Sequence, residues 1–393
     1  MRATARSTKI ALLCGLVLHT SACEPQNGIG NAVHRDSAGI HITENRDPSD
    51  SVRPWIVETE PRTEIGVVEG DPMYQLFQVS DAARLSDGSI VVVNSGTSEL
   101  RIFDETGRFV RTLGGQGPGP GEFRYIESVV VLPGDSLLTL DMQGRKRAWF
   151  GPSGTLARER RLDGSGWPLA SGQVFTRFPV RSAQPPLGWY RGQEVFAVLD
   201  PESGTVDTLG WFPMEDNILV RDGDRVRHLL PPFFRNTWWA IGTDRVFVGD
   251  SDRYEVLVYG LDGTLRQIIR LDRPAEPVTD ADRVAYETLR RESVEPGARP
   301  AIERLLRALE WHRTKPAFGR LYADTENRLW AKPHVELRFD APYDVFDTSG
   351  VYLGKVTLPD GVEPLEIGTD YVIGLWRDES RVEFVRVYRM SRR

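Results

Sequence analysis

The sequence is poor in cysteine, in long apolar runs and in excess positive charge, and each shortage excludes a class of protein. Cys14 and Cys23 are the only cysteines among 393 residues, so a disulfide-stapled miniprotein is excluded. The longest apolar run covers residues 10–18, whereas a membrane-spanning helix needs about 20 residues. The formal net charge of −7 supplies no basic field for nucleic acid or anionic lipid. With 40% hydrophobic and 27% charged residues, the composition is that of a soluble globular protein.

The N-terminus has the composition of an export signal. Arg2, Arg6 and Lys9 precede the apolar run, and the run ends in small residues before Cys23. A basic start, a short apolar centre and a small-residue exit predict a secretory signal peptide over residues 1–22. Its removal takes away three cations and no anions, which lowers the net charge from −7 to −10.

The end of this signal resembles a bacterial lipobox, in which the cysteine after the cleavage point receives lipid. That pattern usually has Leu three residues before the cysteine, where this chain has Thr20, so cleavage after Ala22 without lipid stays an alternative. Cys23 would be the only thiol of the mature chain, and it stands where the lipid would be attached. We therefore expect lipidation at Cys23. Glu24 at the next position resembles sorting to the outer membrane of Gram-negative cells.

The segment after the cleavage point is polar, and its composition predicts a tether. Residues 23–52 contain few large apolar side chains, so we expect them to hold the folded part away from the membrane. Within this segment, residues 39–43 are a candidate strand. The folded domain is expected to cover residues 53–393.

A repeat of short strands organises the folded part. In three copies, a polar residue closes a strand, an aromatic residue follows nine positions later and a glycine follows 13 positions later. Each unit has the pattern of four short strands joined by tight turns. Units of about 40–50 residues with four strands each are typical of a β-propeller. The three sets are Asn94, Phe103 and Gly107; Asp141, Phe150 and Gly154; and Asp250, Tyr259 and Gly263.

Weaker copies extend the repeat to the C-terminus. They lie around residues 174–204 and 329–350, with a partial copy at 362–390, which makes five full units and one incomplete unit. We predict an all-β fold, a six-bladed β-propeller in which residues 55–65 complete the last blade and close the ring. Seven blades is the alternative, because another strand pair fits within residues 164–195.

One motif resembles a known family. Residues 117–123, with the sequence Gly-Pro-Gly-Pro-Gly-Glu-Phe, resemble the segment that enters a blade of NHL-type six-bladed propellers. The Asp-Gly pair at 87–88 and residues 101–104 continue this pattern, so the resemblance covers residues 77–162 well and the remainder only as blade outlines. The chain is similar to secreted six-bladed propellers of bacteria. The resemblance implies an architecture and no particular chemistry.

Two insertions interrupt the repeat. Residues 276–314 are expected to form a small helical insertion between blades 4 and 5, because Thr279 and Asp282 resemble a capping pair and apolar residues recur at helical spacing. The second insertion, residues 180–192, lies inside blade 3. Loops between blades and loops between the second and third strands of a blade emerge on one face of a propeller. We therefore expect both insertions at the mouth of the central channel, on what is called here the top face.

The top face is the candidate binding site. Arginine suits a carboxylate or phosphate, and Trp or Tyr suits a sugar or a peptide surface. These side chains predict a site for a small ligand, a glycan or a peptide, and the alternative is that the helices only plug the channel. The residues expected to reach this face are Arg124, Tyr125, Trp189, Tyr190, Arg191, Arg235 and His334.

Motifs for catalysis and metal binding are scarce. The mature chain keeps five histidines, without a His-x-His or His-x-x-x-His pair, and it has no nucleophile elbow, Walker loop or dinucleotide fingerprint. Asp141, Asp250 and Asp378 at strand ends could hold Ca²⁺, as in propeller lactonases, but turn chemistry alone also places Asp at such positions. No cofactor is expected, with Ca²⁺ as the alternative.

Together these patterns predict an exported, lipid-anchored propeller of the cell envelope or periplasm that acts as a monomeric recognition module and not as an enzyme. Its partner is expected to be a small ligand, a glycan, a peptide or an envelope protein, without nucleic acid, and with membrane contact only through the N-terminal lipid. A metal-assisted hydrolase or lyase of the propeller-lactonase kind and a structural protein-interaction scaffold are the alternatives.

Overall fold

A computed structural model describes residues 31–46, 48–49, 52–162, 166–180, 187–222, 225–295, 297, 299–334 and 341–392. The predicted signal peptide, Cys23 and the start of the predicted tether lie outside these residues. The described strands form six sheets, and each sheet is one blade of a six-bladed β-propeller. The predicted blade number is confirmed, and the seven-bladed alternative is wrong.

The strands are numbered in chain order. The N-terminal part contains β1 (Asn31–Ser37), β2 (Ile40–Arg46), β3 (Trp55–Val57) and β4 (Thr63–Ile65), followed by a 3-10 turn at Pro72–Tyr74. Blade 1 contains β5 (Val79–Arg84), β6 (Ile90–Asn94), β7 (Glu99–Phe103) and β8 (Phe109–Gly114), with a 3-10 turn at Ser95–Thr97. Blade 2 contains β9 (Ile126–Leu132), β10 (Ser136–Asp141), β11 (Lys146–Phe150) and β12 (Leu156–Arg161). Blade 3 contains β13 (Trp167–Pro168), β14 (Val174–Pro179), β15 (Gly188–Leu199), β16 (Val206–Asp222) and β17 (Arg225–Leu229).

The second half of the ring follows the same order. Blade 4 contains β18 (Thr237–Ile241), β19 (Arg245–Asp250), β20 (Glu255–Gly260) and β21 (Leu265–Leu271). Blade 5 contains β22 (Arg320–Ala323), β23 (Leu329–Lys332), β24 (Tyr343–Phe346) and β25 (Tyr352–Val356). Blade 6 contains β26 (Glu363–Ile367), β27 (Tyr371–Arg377) and β28 (Glu383–Arg392), and it is completed by β3 and β4.

The repeat glycines close the outer hairpins of blades 1, 2 and 4. Gly107, Gly154 and Gly263 have φ values of 84°, 82° and 74°, a left-handed conformation that strains other residues. Each turn also touches the preceding blade, since a Cβ on Gly154 would lie 2.7 Å from the Leu113 side chain of blade 1. The glycine thus serves both the turn and the packing of one blade on the next.

The motif at 117–123 has a structural role. Phe123 is fully buried between blades 1 and 2, with its ring 6.2 Å from that of Phe150. The Glu122 carboxylate accepts a hydrogen bond from the Gly119 N–H at 2.8 Å, which shapes the turn before it. The motif therefore anchors the connection between blades 1 and 2.

The ring closes where the sequence predicted. Strands β3 and β4 both pair with the C-terminal strand β28, with Trp55 opposite Arg392 and Ile65 opposite Val385. Trp55 is 5% exposed and packs 6.1 Å from the ring of Trp330 in blade 5. The two ends of the domain are thereby joined in one sheet.

The expectation of a tether is wrong for residues 31–46. They form the hairpin β1–β2, and β2 pairs in parallel with β21 as a fifth strand of the blade 4 sheet. The candidate strand at 39–43 lies largely in β2, which is longer. Ile42 and Asn45 are buried against the rest of the fold, so one side of this segment packs into the domain although its sequence is mostly polar.

The helical insertion lies between blades 4 and 5, as predicted. It contains α1 (Asp280–Glu292) and α2 (Arg299–Ala308), and the Thr279–Asp282 capping box is present at the start of α1. After α2 in the chain, Trp311 packs against Tyr286 of α1 and against Phe233, with ring centroids 5.5 and 6.3 Å apart. Neither described helix is long and apolar enough to cross a bilayer.

Candidate functional site

Arg191 connects blade 3 to blade 4 on the top face. It projects from β15, and its guanidinium donates to both carboxylate oxygens of Asp250 at 2.8 and 3.0 Å and to the Met214 carbonyl at 2.7 Å. All of these partners belong to the propeller itself. Arg191 was predicted to bind ligand, and the structure places its donors in an internal ion pair.

The helical insertion is fastened to blade 3 through Asp216. This carboxylate is 6% exposed and contacts His312 Nε2 at 2.8 Å and the Arg235 N–H at 2.6 Å. Burial opposes its ionisation, but these hydrogen bonds and the charge of Arg191 outweigh burial and hold the pKa of Asp216 below its ordinary range. The rings of His312 and Trp189 also pack edge to face, with their centroids 4.7 Å apart. These contacts anchor the segment that follows α2.

Arg235 is a structural residue. It is 5% exposed, and its guanidinium donates to the carbonyl oxygens of Phe233 and Thr314 and to Asp252 Oδ1. It therefore holds the C-terminal end of the insertion against the entry to blade 4. The nearby Tyr190 ring lies 6.3 Å from that of His228. In this part of the top face, Trp189 and Arg235 contact the segment that follows α2, whereas Arg191 and Tyr190 contact side chains of blades 4 and 3.

The predicted residues of blade 2 lie apart from this cluster. Arg124 is exposed, and Asp141 is buried beneath it. The Asp141 carboxylate accepts backbone N–H bonds from Arg124 at 2.7 Å, Tyr125 at 3.2 Å and Gly144 at 2.6 Å. Asp141 thus shapes two loops, as turn chemistry predicted.

The candidate metal ligands are not brought together. Asp141 accepts backbone N–H bonds, Asp250 pairs with Arg191, and Asp378 accepts the Val382 N–H at 2.8 Å in its own turn. Across the ranges that the structure describes, no group of three or more His, Cys, Asp or Glu side chains is arranged to hold a metal ion.

A cleft of about 1110 Å³ lies at the foot of the helical insertion on the top face. Its walls come from the end of β2, the segment that joins β21 to α1, and blade 5. His334, one of the predicted residues, lines it, and its ring lies 5.9 Å from that of Phe234. We call this cavity the insertion cleft. Its apolar lining includes Tyr254, Pro274, Ala275, Pro316 and Ala317.

A buried carboxylate organises the floor of the insertion cleft. Asp344 is 2% exposed, and its carboxylate accepts hydrogen bonds from two guanidinium nitrogens of Arg273 at 2.6 and 3.1 Å. It also accepts hydrogen bonds from the hydroxyls of Tyr254 and Tyr352. Burial, followed by the adjacent carboxylate, raises the pKa of Tyr254 well above its ordinary value, so its hydroxyl stays a donor. Sequence reasoning missed this group because its members come from two blades and from the linker, far apart in the chain.

The rim of the insertion cleft carries charges of both signs. Arg270 donates to Glu255 Oε2 at 2.7 Å and to Glu44 Oε1 at 3.2 Å. Lys315 pairs with Glu276 at 2.6 Å; burial opposes its charge, but this carboxylate and Asp282 raise its pKa. Paired cations and anions therefore lie at the opening.

The central channel has a second group of ionisable side chains. A cavity of about 340 Å³ is lined by the inner strands of the blades, including Asp81, Arg84 and Glu366. Asp81 accepts the Val129 N–H of blade 2 at 3.0 Å, and Glu366 accepts the Arg84 N–H of blade 1 at 3.0 Å. Burial raises the pKa of Asp81 to about 7, although the N–H groups of Val129 and Ala82, which both donate to this carboxylate, oppose the shift. Carboxylates thus join neighbouring blades around the channel.

Comparison with known proteins agrees with this architecture. Residues 75–171 match the family model DUF5128, described as a six-bladed β-propeller. No curated protein matches the chain.

Three solved structures are similar to this chain. A protein of Bacteroides fragilis described as exported is 12% identical, with 90% of this chain and 99% of that chain covered and a TM-score of 0.47. A member of the DUF4221 family from Bacteroides vulgatus is 10% identical, with 88% and 100% covered and a TM-score of 0.48. Virginiamycin B lyase from Staphylococcus aureus is 8% identical, with 86% and 99% covered and a TM-score of 0.37.

Proposed function

We propose that the protein is an exported recognition module that binds a peptide in the insertion cleft. The observation that carries this proposal is the cleft itself, a cavity of about 1110 Å³ with walls from the N-terminal hairpin, blade 4, the segments on either side of the helical insertion and blade 5. A volume slightly above the usual range for small-ligand pockets suits a short stretch of chain.

The lining favours a peptide over a uniformly charged ligand. Six Lys or Arg side chains and six Asp or Glu side chains line the cleft, so its charges balance. A ligand with a single sign of charge would meet as much repulsion as attraction, whereas a peptide with both signs can pair with each. The prolines and Tyr254 add apolar surface for its side chains.

At the rim, the lining of the cleft includes an arginine that has little structural role in the fold. The Arg253 side chain is 76% exposed and lies 3.4 Å from Glu255, a pairing that solvent screens. In contrast, Arg273 is fixed by Asp344 beneath it. We therefore assign recognition to the rim and support of the site to the floor.

Peptide selection tests this function. The mature protein is immobilised and exposed to a random library of short peptides, and we expect enriched sequences that contain both an acidic and a basic residue. Ala275→Trp, which fills an exposed position of the cleft wall, should abolish the enrichment. Ala285→Trp on the exposed face of α1 is the matched control and should retain it. Enrichment that is unchanged in Ala275→Trp, or no enrichment at all, would overturn the proposal.

The proposal includes export and a lipid anchor at Cys23, which rest on the basic and apolar pattern of residues 1–22. Expression of the full chain in a Gram-negative host with labelled palmitate tests both. We expect a labelled, membrane-associated protein, and an unlabelled, released protein for Cys23→Ser. Equal release of both forms would show that the signal is cleaved without lipid attachment.

A further inference from the structure

A second pocket lies at the channel mouth between blades 2 and 3, apart from the insertion cleft. Its volume is about 290 Å³, and its lining comes from the inner strands β9 and β13 and from the upper ends of β14, β15 and β16. Two carboxylates face it, Glu127 and Glu194, together with Trp167, Met142 and Met214. We call it the mouth pocket.

Glu194 is buried without full hydrogen bonding. The residue is 2% exposed, and its Oε2 accepts a long bond of 3.4 Å from Arg177. Its Oε1 has no hydrogen-bond partner in the part of the chain that the structure describes. A buried carboxylate oxygen without a donor is rare and costly, so an unpaired one in a pocket wall points to a missing donor.

Glu127, an exposed residue of β9, supplies the second carboxylate of the pocket. Burial raises the pKa of Glu194, against the opposing charge of Arg177, and burial followed by the charge of Asp141 raises the pKa of Glu127. Both groups would therefore be stabilised in their ionised form by a cation placed between the pocket walls.

Arg177 does not fill this role. It is the one Lys or Arg among the described residues that line the mouth pocket. Its guanidinium lies 4.6 Å from the centre of the Trp239 ring, where the aromatic face holds it. It reaches only one oxygen of Glu194.

The remaining walls are apolar and polarisable. Trp167 packs 5.0 Å from Trp239, so its position is fixed by the core between blades 3 and 4. Met142 and Met214 supply thioether side chains, and Pro179 completes the wall. Aromatic faces attract organic cations, and flexible thioethers adapt to methylene groups.

We propose that the mouth pocket binds an organic cation with a primary ammonium group. The ammonium would donate to Glu194 Oε1 and to the Glu127 carboxylate, and its methylene groups would pack against Trp167 and the two methionines. This site is independent of the insertion cleft, so either assignment can fail without the other.

Titration calorimetry with butylammonium as the probe and butanol as its neutral counterpart tests the site. We expect butylammonium to bind with a dissociation constant in the range of ~1 mM or tighter and butanol to bind at least tenfold more weakly. Absence of butylammonium binding at ~10 mM, or equal binding of the two probes, would overturn the proposal.

Variants locate the binding. Glu194→Gln keeps the shape of the side chain, removes its charge and should weaken butylammonium binding at least about tenfold. Glu379→Gln removes the same charge from an exposed turn of blade 6 and should leave binding unchanged. Thermal unfolding of both variants shows that they are folded. Equal weakening in both variants would mean that the overall charge of the protein, and not the mouth pocket, attracts the probe.

Discussion

Arg191 and Asp250 form a two-pronged ion pair across the junction of blades 3 and 4, with both guanidinium nitrogens within 3.0 Å of a carboxylate oxygen. Neither side chain is more than 28% exposed, so solvent weakens the pair only in part. Arginines of a kind that often bind ligands can thus serve to hold the propeller blades together. Four predictions concern how such contacts hold this propeller together.

The Arg191–Asp250 pair should stabilise the domain. Arg191→Ala leaves Asp250 and the buried Asp216 without their cation, and we expect the free energy of unfolding to fall by about 2 kcal/mol. Urea denaturation measures this. Arg245→Ala removes an arginine that pairs with the adjacent, exposed Asp244, and it should cost no more than about 0.5 kcal/mol. Similar losses for the two variants would show that the bidentate geometry adds nothing.

His312 should control how firmly the insertion is attached. His312→Ala removes the contacts with Asp216 and Trp189, and we expect trypsin to cleave within residues 276–314 about tenfold faster, as a loss of about 1.4 kcal/mol in local stability implies. His228→Ala, on the exposed strand β17, is the control and should leave the cleavage rate unchanged. If trypsin cleaves His312→Ala no faster than the natural protein, the insertion is held by other contacts, such as those of Trp311.

Asp81 should make the stability of the ring depend on pH. Its pKa of about 7 in the folded protein lies above the ordinary value of 3.8, so between these values the folded state binds the proton more tightly than the unfolded chain. The contribution of Asp81 to the free energy of unfolding is therefore fully present below about pH 4. It decreases as the pH rises towards 7, by at most about 4 kcal/mol.

Asp81→Asn tests this dependence, since the amide resembles the protonated acid. Urea midpoints of the natural protein should decrease between about pH 4 and pH 7, and most of that decrease should be absent in the variant. Glu366 retains a smaller effect, because burial raises its pKa as well. Asp360→Asn, on an exposed turn, should preserve the full decrease. A parallel decrease in Asp81→Asn would assign the effect to another group.

The fold was predictable where its causes are local. The spacing from Asn94 to Gly107 recurs because one residue must turn the chain and the other must adopt a positive φ, and both requirements appear in every copy. The closing strand at 55–65 was predictable because the last unit lacks a strand and a ring needs no free edge.

The site was less predictable because its causes are distant. Arginines on the top face indicate anion binding, but Asp250 is 59 positions from Arg191, and nothing local shows that the two meet. Likewise, Glu194 lies within a strand of ordinary pattern, and only the fold shows that one of its oxygens is buried and has no donor among the described residues. The sequence therefore predicts which kinds of side chain lie on a face better than it predicts the ion pairs and hydrogen bonds that these side chains form.

The N-terminal hairpin, which the polarity of residues 23–52 concealed, should be part of the stable domain. Asn45 is 4% exposed; its amide donates to the Arg270 carbonyl at 3.0 Å and the Gly350 carbonyl at 2.8 Å, and its oxygen accepts the Tyr352 N–H at 2.7 Å. It thus joins the hairpin to blades 4 and 5.

Asn45→Ala should lower the free energy of unfolding by about 3 kcal/mol, because two buried backbone groups and one partly buried group lose their partner at once. Asn217→Ala, which removes one bond to the Glu215 carbonyl, should cost about 1 kcal/mol. Denaturant unfolding compares the two. If Asn45→Ala costs no more than Asn217→Ala, the hairpin separates from the propeller before the ring unfolds, and hydrogen exchange of β2 would then be faster than that of β21.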